Sequence, residues 1–254
     1  IKKIYRKSIF LVHIMIQPII FIMKKLIIIP AYNESENILN TVKCIEKDAP
    51  DFDYVVINDC SKDNTLEILE NNHLNFVNLP VNLGIGGAVQ TGYQYALENG
   101  YDVAVQVDGD GQHDPKYLSD LFETLVKENA DMVIGSRFIK NEGFQSTFMR
   151  RVGITYFTKL IHSLTGKTIT DPTSGFRMCN RRVIELFSKD YPRDYPEPES
   201  IVALLKRKMK VIEVPVQMKE RQGGESSINA SKSVYYMIKV SLAILIENLR
   251  KYKV

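Results

Sequence analysis

The sequence lacks the cysteine pattern of a disulfide-rich or zinc-binding protein. Its three cysteines, Cys44, Cys60 and Cys179, are far apart, form no CxxC pair and are odd in number. A disulfide framework and a structural zinc site are therefore not expected, and the pattern favours a reducing cytoplasm. The histidines add no metal site, because His113 and His162 have no partner at the spacing of metal ligands.

The chain also has little net charge. Its 254 residues carry a formal charge of +3, with 25% charged and 44% hydrophobic residues. This balance is ordinary for a globular protein and is not typical of nucleic-acid binding. The length is enough for one domain with a sizeable core, and neither an internal repeat nor a low-complexity linker divides it.

No segment is long and apolar enough to count as a confident membrane span. Residues 1–22 are basic and then apolar, but the apolar part is short and contains polar residues and Pro18. We expect residues 1–22 to be an extension outside the fold, with a weak membrane anchor as the alternative. Residues 23–232 are expected to form the folded domain and residues 233–254 an amphipathic helix.

The C-terminal segment has two interpretations. Apolar residues surround most of its first turns, whereas Arg250, Lys251 and Lys253 add positive charge at its end. This combination suits a helix that lies on an anionic membrane surface. A helix packed against the domain or a partner subunit fits equally well, so a homo-oligomer is the alternative.

Short apolar runs alternate with helical stretches along most of the chain. This rhythm predicts an α/β fold with a mostly parallel central sheet and helices on both faces. After about Lys140 the rhythm changes, and we expect a helix near residues 150–166. The expected strands are KLIIIP (25–30), DYVVIND (53–59), LNFVNLP (74–80), DVAVQVDGD (102–110), ADMVIGSRF (130–138) and KVIEVPVQM (210–218).

Four of the predicted strands end in polar clusters. In an open parallel sheet, ligands bind beyond the carboxyl ends of the strands. One such cluster is typical of a solvated loop, but four on the same edge indicate a binding site. The clusters are PAYNESEN (30–37), NDCSKDNT (58–65), DGDGQHDP (108–115) and GSRF (135–138).

The third cluster is rich in acid. Asp108 and Asp110, with only Gly109 between them, can direct both carboxylates toward one point. With the amide oxygen of Gln112 they suit a hard divalent ion, Mg²⁺ or Mn²⁺, whose shell diphosphate oxygens would complete. The alternative, a capped turn, fits Asp114, which precedes a predicted helix. For the other two acids we favour the metal, because paired carboxylates repel each other without a cation.

Six short motifs follow one another between Lys24 and Ile228. They are PAYNE (30–34), NDCSKDNT (58–65), NLGIGGAVQTGY (82–93), DGDGQHDP (108–115), DPTSGFR (171–177) and ERQGGESSI (220–228). Each is weak by itself, but in this order they resemble glycosyltransferase family 2. Within that family they are similar to dolichyl-phosphate mannose synthases and bacterial polyprenyl-phosphate or polysaccharide glycosyltransferases.

The resemblance implies a nucleotide-diphospho-sugar transferase fold (GT-A, Rossmann-like) and an inverting, metal-dependent glycosyltransferase of cell-envelope glycan biosynthesis. The donor would be a UDP, GDP or dTDP sugar and the acceptor a polyprenyl phosphate or a glycan. The resemblance assigns Pro30, Tyr32, Glu34 and Asp59 to the nucleoside, and Asp108, Gly109, Asp110 and Gln112 to the metal and diphosphate.

One departure from the family pattern concerns the nucleoside. The family often has two consecutive acids and a glycine where this chain has Asn58, Asp59 and Cys60. Asn58 can both donate and accept a hydrogen bond, so the choice among uracil, thymine and guanine is open. The alternative for this segment is an N-terminal cap of the next helix.

The glycine-rich segment that follows also has two interpretations. Asn82, Gly84, Gly86 and Gly87 open a predicted helix, where glycines permit close approach of the backbone to a ligand. We expect these residues to shape the wall near the nucleotide-sugar. Tight packing of the helix on the sheet explains the same glycines equally well.

Arginines and acids in the second half are candidates for catalysis. Arg137, Arg151, Arg177 and Arg221 lie in or near the family-like segments, and Arg137 and Arg221 are the better candidates for binding phosphate. A hydroxyl acceptor would need a general base, for which Glu197 is the first candidate and Asp171 the second. Acids at a helix N-terminus are the alternative, and an anionic phosphate acceptor needs no base.

Two other functions remain as alternatives. A nucleotidyltransferase can use a similar sheet and acid pair, but no basic glycine-rich loop follows the first strand, where PAYNE (30–34) stands instead. A nucleotide-sugar-binding subunit without turnover is the non-catalytic alternative. We expect the protein in the cytoplasm at the inner face of the cell membrane, as a peripheral membrane protein that does not bind nucleic acid.

Overall fold

A sheet of seven strands forms the centre of the computed structural model, which describes residues 23–140, 148–219 and 230–250. Six strands follow the apolar runs of the sequence, so the predicted α/β architecture is confirmed. The strands are β1 (Lys25–Ala31), β2 (Asp53–Asn58), β3 (Phe76–Asn78), β4 (Val103–Gln106), β5 (Met132–Ser136), β6 (Arg177–Asn180) and β7 (Val211–Pro215).

Eight α-helices lie within the described residues, and a 3₁₀ turn (Pro115–Tyr117) precedes the fourth. The Asp114 side chain accepts a hydrogen bond from the Lys116 N–H and caps this turn, as expected. The helices are α1 (Ile38–Asp48), α2 (Thr65–Asn71), α3 (Gly84–Glu98), α4 (Leu118–Lys127), α5 (Phe148–Thr165), α6 (Arg181–Phe187), α7 (Pro196–Lys206) and α8 (Ala230–Leu249).

Strand β6 is the one strand of the described sheet that the sequence did not reveal. The order is β3-β2-β1-β4-β6-β5-β7, and all pairs are parallel except those that β6 makes with β4 and β5. Its four residues form a strand because both neighbours supply hydrogen bonds, not because of a local pattern. Since β6 runs in the opposite direction, its first residue, Arg177, lies beside Gln106 and Ile134.

Both faces of the sheet are buried by helices. On β1, Leu26 and Ile28 face one core, and Ile27 and Ile29 face the other, because successive side chains of a strand alternate. Helices α3, α5, α6, α7 and α8 cover the first face, and α1, α2 and α4 cover the second. The polar residues that follow the strands therefore lie along the edge of the sheet.

Helix α8 packs on the domain with one face. Val240 and Ile244 are buried against α5 and α7, and the buried Glu247 accepts hydrogen bonds from Arg207 and Arg250. Within the described part of the chain, no helix has the length and apolar character to span a membrane. Residues 1–22 and 251–254 lie outside the described residues, so the predicted domain boundaries stay predictions.

Candidate active site

The carboxyl ends of β1, β2, β4 and β5 bring the predicted polar clusters to one edge of the sheet. Parallel pairing aligns these ends, with Pro30 beside Ile57 and Ile28 beside Gln106. Because β6 is antiparallel, the segment before Arg177 joins the same edge. The structure thus unites four clusters that are far apart in the sequence.

Asp108 is held by two neighbouring side chains. Its Oδ1 accepts a hydrogen bond from Gln106 Nε2 at 2.9 Å, and His113 Nε2 lies 3.6 Å from Oδ2. The backbone N–H of Asp108 donates to His113 Nδ1 at 3.0 Å, so the neutral imidazole carries its proton on Nε2. The His113 ring stacks on Phe176. His113, which the sequence excluded as a metal ligand, therefore lies against an acid of the site.

Close backbone contacts shape the surroundings of the acid pair. A Cβ on Gly175 would lie 2.9 Å from Gln106 Nε2 and 3.2 Å from Asp108 Oδ2, and one on Gly109 would lie 3.2 Å from the Pro30 carbonyl oxygen. A side chain at position 175 would crowd the Asp108 carboxylate, and one at position 109 would crowd the loop after β1. Gly175 therefore keeps open the space around Asp108.

The donor atoms near the acid pair fit a hard divalent ion. Asp108 keeps 35% of its side chain exposed, and Asp110 accepts the Gln112 N–H at 3.1 Å. Beside them the buried Gln106 Oε1 has no hydrogen-bond partner among the described residues. Within the described residues, no cluster of three His, Cys, Asp or Glu side chains is placed to hold a metal. Carboxylate and amide oxygens are the ligand type that a hard divalent ion takes, and the predicted metal site stays a prediction.

The loops after β1 and β2 are tied together by side chains. Asn33 Oδ1 accepts the Lys62 N–H at 2.8 Å, and the Glu34 N–H donates to Thr65 Oγ1 at 2.9 Å. Asn33 has a φ of 57°, a conformation that asparagine tolerates better than most residues. Tyr32 is 43% exposed at the same edge, as a wall for a ligand would be.

Asn58 and Asp59 have different surroundings. The Asn58 amide donates to Asn78 Oδ1 at 2.7 Å and accepts from the Ser61 hydroxyl at 2.6 Å, which connects β2 to β3 and to the next loop. The Asp59 carboxylate accepts the N–H groups of Leu83 and Gly84 at 2.6 and 2.9 Å. Asp59 therefore anchors the start of α3, and the predicted contacts of both residues with the nucleoside stay predictions.

The predicted glycine-rich wall divides into two parts. Gly84 (φ 76°) and Asn82, whose side chain donates to the Asp59 carbonyl oxygen, lie at the candidate site. Gly86 is buried, and a Cβ there would lie 2.2 Å from the carbonyl oxygens of residues 192 and 193. A Cβ on Gly87 would lie 2.4 Å from Leu83 Cβ. Packing against protein thus accounts for these last two glycines.

Arg137 and Asp171 form a buried, two-pronged ion pair. The Arg137 Nε and Nη2 atoms donate to the two Asp171 carboxylate oxygens at 2.6 and 2.7 Å, and the Arg137 backbone N–H adds a third contact. Asp171 is 0% exposed and Arg137 is 5% exposed. Because both carboxylate oxygens of Asp171 serve Arg137, the geometry favours Glu197 over Asp171 as a candidate base.

Arg150 was not predicted from the sequence, which pointed to its neighbour Arg151. Burial lowers the pKa of the Arg150 guanidinium, which still keeps contact with solvent, and the positive charge of Arg137 lowers it further. The Asp171 and Glu197 charges act in the opposite direction, so these four residues share one electrostatic environment. Helical periodicity does not distinguish Arg150 from Arg151, because both side chains are exposed and the charges near Arg150 come from distant segments.

Glu197 lies in the first turn of α7, next to the same group of charges. Burial raises the pKa of its carboxyl, and the negative charge of Asp108 adds to the rise, whereas Arg177 and Arg150 oppose it. Arg177 is itself buried and donates to the carbonyl oxygens of Pro172 and Glu197 at 2.9 and 2.7 Å. Arg177 therefore joins the loop before β6 to the first turn of α7 rather than presenting its charge to solvent. Arg221 lies outside the described residues.

Curated proteins and solved structures resemble this chain over most of its length. It is 32% identical over 243 residues to undecaprenyl-phosphate mannosyltransferase of Micrococcus luteus, covering 90% of this chain and 98% of that protein. It is 29% identical over 232 residues to polyprenol monophosphomannose synthase of Mycolicibacterium smegmatis, covering 86% of each.

A solved structure, glucosyl-3-phosphoglycerate synthase of Mycobacterium tuberculosis with Mn²⁺, UDP and phosphoglyceric acid, matches with a TM-score of 0.69. The match covers 91% of this chain and 80% of that chain at 16% identity, and therefore supports the fold alone. The family model "Glycosyl transferase family 2" matches residues 26–187. With this match over more than half of its length, the chain belongs to glycosyltransferase family 2 and has the GT-A fold of these enzymes.

Proposed function

We propose that this glycosyltransferase moves a sugar from a nucleotide-diphosphate donor to a polyprenyl phosphate, with inversion at the anomeric carbon. The observation that carries the proposal is the arrangement of charge at one sheet edge. The charges of Asp108 and Arg150 both act on the Glu197 carboxyl, and Arg137 acts on Arg150, so acids and arginines lie close together at this edge. Asp110 follows Asp108 by two positions. The acids suit a cation that binds the donor, and the arginines suit a second anion, the acceptor phosphate.

The proposed donor site lies between the acid pair and the loops after β1 and β2. Asp108, Asp110 and Gln112 would hold Mg²⁺ or Mn²⁺. When bound there, the metal would neutralise the donor diphosphate and favour its departure as a leaving group. A solved glycosyltransferase of the same fold contains Mn²⁺ together with UDP, which supports this choice of ligands. A comparison of UDP-, GDP- and dTDP-sugars in a transfer assay identifies the base of the nucleotide.

The proposed acceptor site is formed by Arg137 and Arg150. Burial and the positive charge of Arg137 lower the pKa of the Arg150 guanidinium, so an anion between the two groups would stabilise the charged form of Arg150. A phosphate oxygen is already anionic, so it can attack the anomeric carbon without a general base. The new bond joins that carbon to the phosphate oxygen while the bond to the nucleoside diphosphate breaks. The names of the relatives, which include undecaprenyl-phosphate and polyprenol enzymes, support this acceptor.

A transfer assay tests the proposed function directly. Full-length protein is incubated with UDP-, GDP- or dTDP-sugars, Mn²⁺ or Mg²⁺, and either a short polyprenyl phosphate or the corresponding free polyprenol. We expect a glycolipid only with the phosphate and only with metal. Donor binding without turnover would instead favour the non-catalytic alternative, and transfer to the free alcohol would require a base such as Glu197.

Two adjacent arginines provide a matched pair for the acceptor site. Arg150→Ala should raise the KM for polyprenyl phosphate by about 10- to 100-fold, because it removes charge-assisted hydrogen bonds to the phosphate. Arg151→Ala, one position along α5 and exposed, should change it little. The initial rate as a function of acceptor concentration gives both values. Equal effects of the two substitutions would contradict the assignment.

We also propose that an apolar surface on α5 and α8 lies against the lipid that carries the acceptor. The two helices are neighbours, since Tyr156 Oη lies 3.0 Å from Ser241 Oγ. The surface starts two residues after Arg150, with Val152, so it continues from the acceptor site. Its exposed apolar side chains are Val152, Tyr156, Tyr235, Ile238, Leu242, Leu245, Ile246 and Leu249.

Two cations of α8 are paired with acids of the protein, so the proposed contact with lipid depends more on apolar side chains than the sequence indicated. Lys239 pairs with Asp194 at 2.8 Å, and Arg250 pairs with Glu247 at 3.1 Å. Lys239 thus connects α8 to the segment before α7, whereas Arg250 pairs with Glu247 of α8 and lies 3.7 Å from Asp190. Cations that are paired in this way contribute less to binding of anionic lipid. We place the enzyme at the cytoplasmic face of the membrane, where its free cysteines stay reduced.

A further inference from the structure

Glu213 is a carboxylate of the site edge that neither the motifs nor the proposed reaction uses. It lies on β7, paired with Ile134 of β5, near the carboxyl end of the sheet. Its Oε2 accepts the Thr170 N–H at 2.7 Å, and its Oε1 accepts the Asp171 N–H at 2.8 Å and the Thr170 hydroxyl at 3.0 Å. One carboxylate therefore fixes the backbone of two consecutive residues.

The same contacts reach both partners of the buried ion pair. Thr170 Oγ1 donates to Glu213 and lies 2.7 Å from the hydroxyl of Ser136, which must then act as the donor. Ser136 directly precedes Arg137, and Thr170 directly precedes Asp171. Glu213 thus holds the backbone at Asp171 directly and reaches Ser136, the residue before Arg137, through the Thr170 and Ser136 hydroxyls.

A half-buried carboxylate at this place needs a reason. Burial raises the pKa of Glu213, and hydrogen bonds from the Thr170 and Asp171 backbone oppose the rise. An ionised carboxylate accepts hydrogen bonds at both oxygens, whereas a glutamine amide accepts at only one. An acid is therefore the side chain that can satisfy both backbone N–H groups together.

We propose that Glu213 is a positioning residue for the acceptor phosphate: it holds the 170–171 segment so that Asp171 aims the Arg137 guanidinium. The inference rests on the proposed function for the identity of the acceptor. Its structural part, the control of Arg137 by Glu213, stands on the contacts above. Buried ion pairs need close geometry, so a small shift of Asp171 changes the direction of Arg137.

Substitution by glutamine gives the first test. In Glu213→Gln the new NH₂ group faces a backbone N–H, so the Thr170 or the Asp171 N–H loses its acceptor. We expect the KM for polyprenyl phosphate to rise about tenfold, with little change in kcat and in the dissociation constant of UDP or GDP with Mn²⁺. An unchanged acceptor KM overturns the proposal.

Val211→Ala is the matched control for stability alone. Val211 is buried on the same strand as Glu213. Its side chain has no hydrogen-bonding group, so it forms no hydrogen bond with the 170–171 segment or with the ion pair. The Val211→Ala substitution should lower the melting temperature and leave the acceptor KM as in the unmodified protein. If Val211→Ala raises the acceptor KM as much as Glu213→Gln does, the effect comes from lost stability and the proposal is wrong.

A spectroscopic measurement separates this proposal from the proposed function. In protein labelled with ¹⁵N-arginine, the buried Arg137 Nε–H should give a protected signal, assigned by its loss in Arg137→Lys. Glu213→Gln should shift that signal and speed its exchange with water, whereas Val211→Ala should not. The signal needs no substrate, so it tests the positioning even if no polyprenyl phosphate is glycosylated. An unchanged signal in Glu213→Gln overturns the inference.

A double-mutant cycle tests the route through Asp171. If Glu213 acts through that residue, adding Glu213→Gln to Asp171→Asn should raise the acceptor KM by less than it does in the unmodified protein. Additive effects would show that Glu213 acts by another route and would overturn the proposed order of contacts.

Discussion

Single acids of the site differ in what their oxygens contact. Asp171 is fully buried and gives both oxygens to Arg137, whereas Asp108 keeps 35% of its side chain exposed beside Gln106 and His113. Burying an ion pair costs desolvation, which the two short hydrogen bonds to Arg137 offset. Asp171 therefore holds Arg137 in place, whereas Asp108 and Asp110 are partly exposed at the edge of the sheet.

Neutralising one accessible acid should remove transfer without unfolding the protein. In Asp110→Asn the candidate site loses one charge, which weakens binding of a hard cation and of the diphosphate together. We expect transfer to fall by at least about 100-fold, with a melting temperature close to that of the unmodified protein. Asp120→Asn, an exposed acid at the start of α4, is the control and should remain active. Near-normal turnover of Asp110→Asn without excess metal would move the metal site elsewhere.

Helix α3 depends on a side chain from another element for its start. Leu83, the residue before its first turn, offers no side-chain cap. Asp59, the residue after β2, instead accepts hydrogen bonds from the Leu83 and Gly84 N–H groups, for which the helix has no carbonyl partner. A carboxylate at a helix N-terminus also interacts favourably with the helix dipole. The conformation at the start of α3 thus depends on a contact with the segment after β2.

Asp59→Ala should therefore affect stability and nucleotide binding together. The Leu83 N–H loses its acceptor and the Gly84 N–H keeps only Asn82 Oδ1 at 3.2 Å. This loss should lower the free energy of unfolding by about 1–3 kcal/mol. The dissociation constants of UDP, GDP and dTDP with Mn²⁺, measured by titration calorimetry, should all rise, and most for the nucleotide whose base Asp59 contacts. If none of them changes, the base lies elsewhere and Asp59 serves α3 alone.

The whole molecule has a polar edge and an apolar side that meet at the start of α5. The polar edge collects the loops that follow the strands, and the apolar side consists of outward-facing residues of α5 and α8. A contiguous apolar surface on a soluble domain usually marks an interaction site. A lipid with an anionic head and an apolar chain fits both parts together.

Binding to liposomes tests this surface with the folded protein. Deleting α8 would also expose the core that Val240 and Ile244 cover, so substitution is the cleaner change. Ile238→Glu with Leu242→Glu should abolish co-sedimentation with liposomes that contain anionic lipid, because charges on the apolar face oppose insertion. Ser119→Glu on α4 is the control for added charge and should still bind.

The salt dependence of that binding distinguishes the two kinds of attraction. Since Lys239 and Arg250 are paired within the protein, binding should weaken only modestly as the salt concentration rises. Full-length protein that stays in the supernatant at low salt would leave α8 as a packing helix, and a soluble glycan would then be the better acceptor.

The sequence by itself determined the sheet and the place of the acids. Runs such as Leu26–Ile29 must be buried on both faces of a parallel sheet, and their period and length show this without knowledge of partners. The acid pair follows such a run directly, so its place at the carboxyl end of a strand is a local property. The order of the six motifs also predicted membership of glycosyltransferase family 2, which the match to the family model confirms.

Only the tertiary structure decided which charges are partners. Arg137 and Asp171 lie 34 positions apart in the sequence, and Glu213 and Thr170 lie 43 positions apart. The antiparallel strand β6, between β4 and β5, brings the 171–176 segment to the edge of the sheet. No local periodicity encodes such pairs, because a hydrogen bond between distant residues depends on strand order and register. For this reason two aspartates that look alike in the sequence differ in the structure: Asp108 is partly exposed and Asp171 is buried.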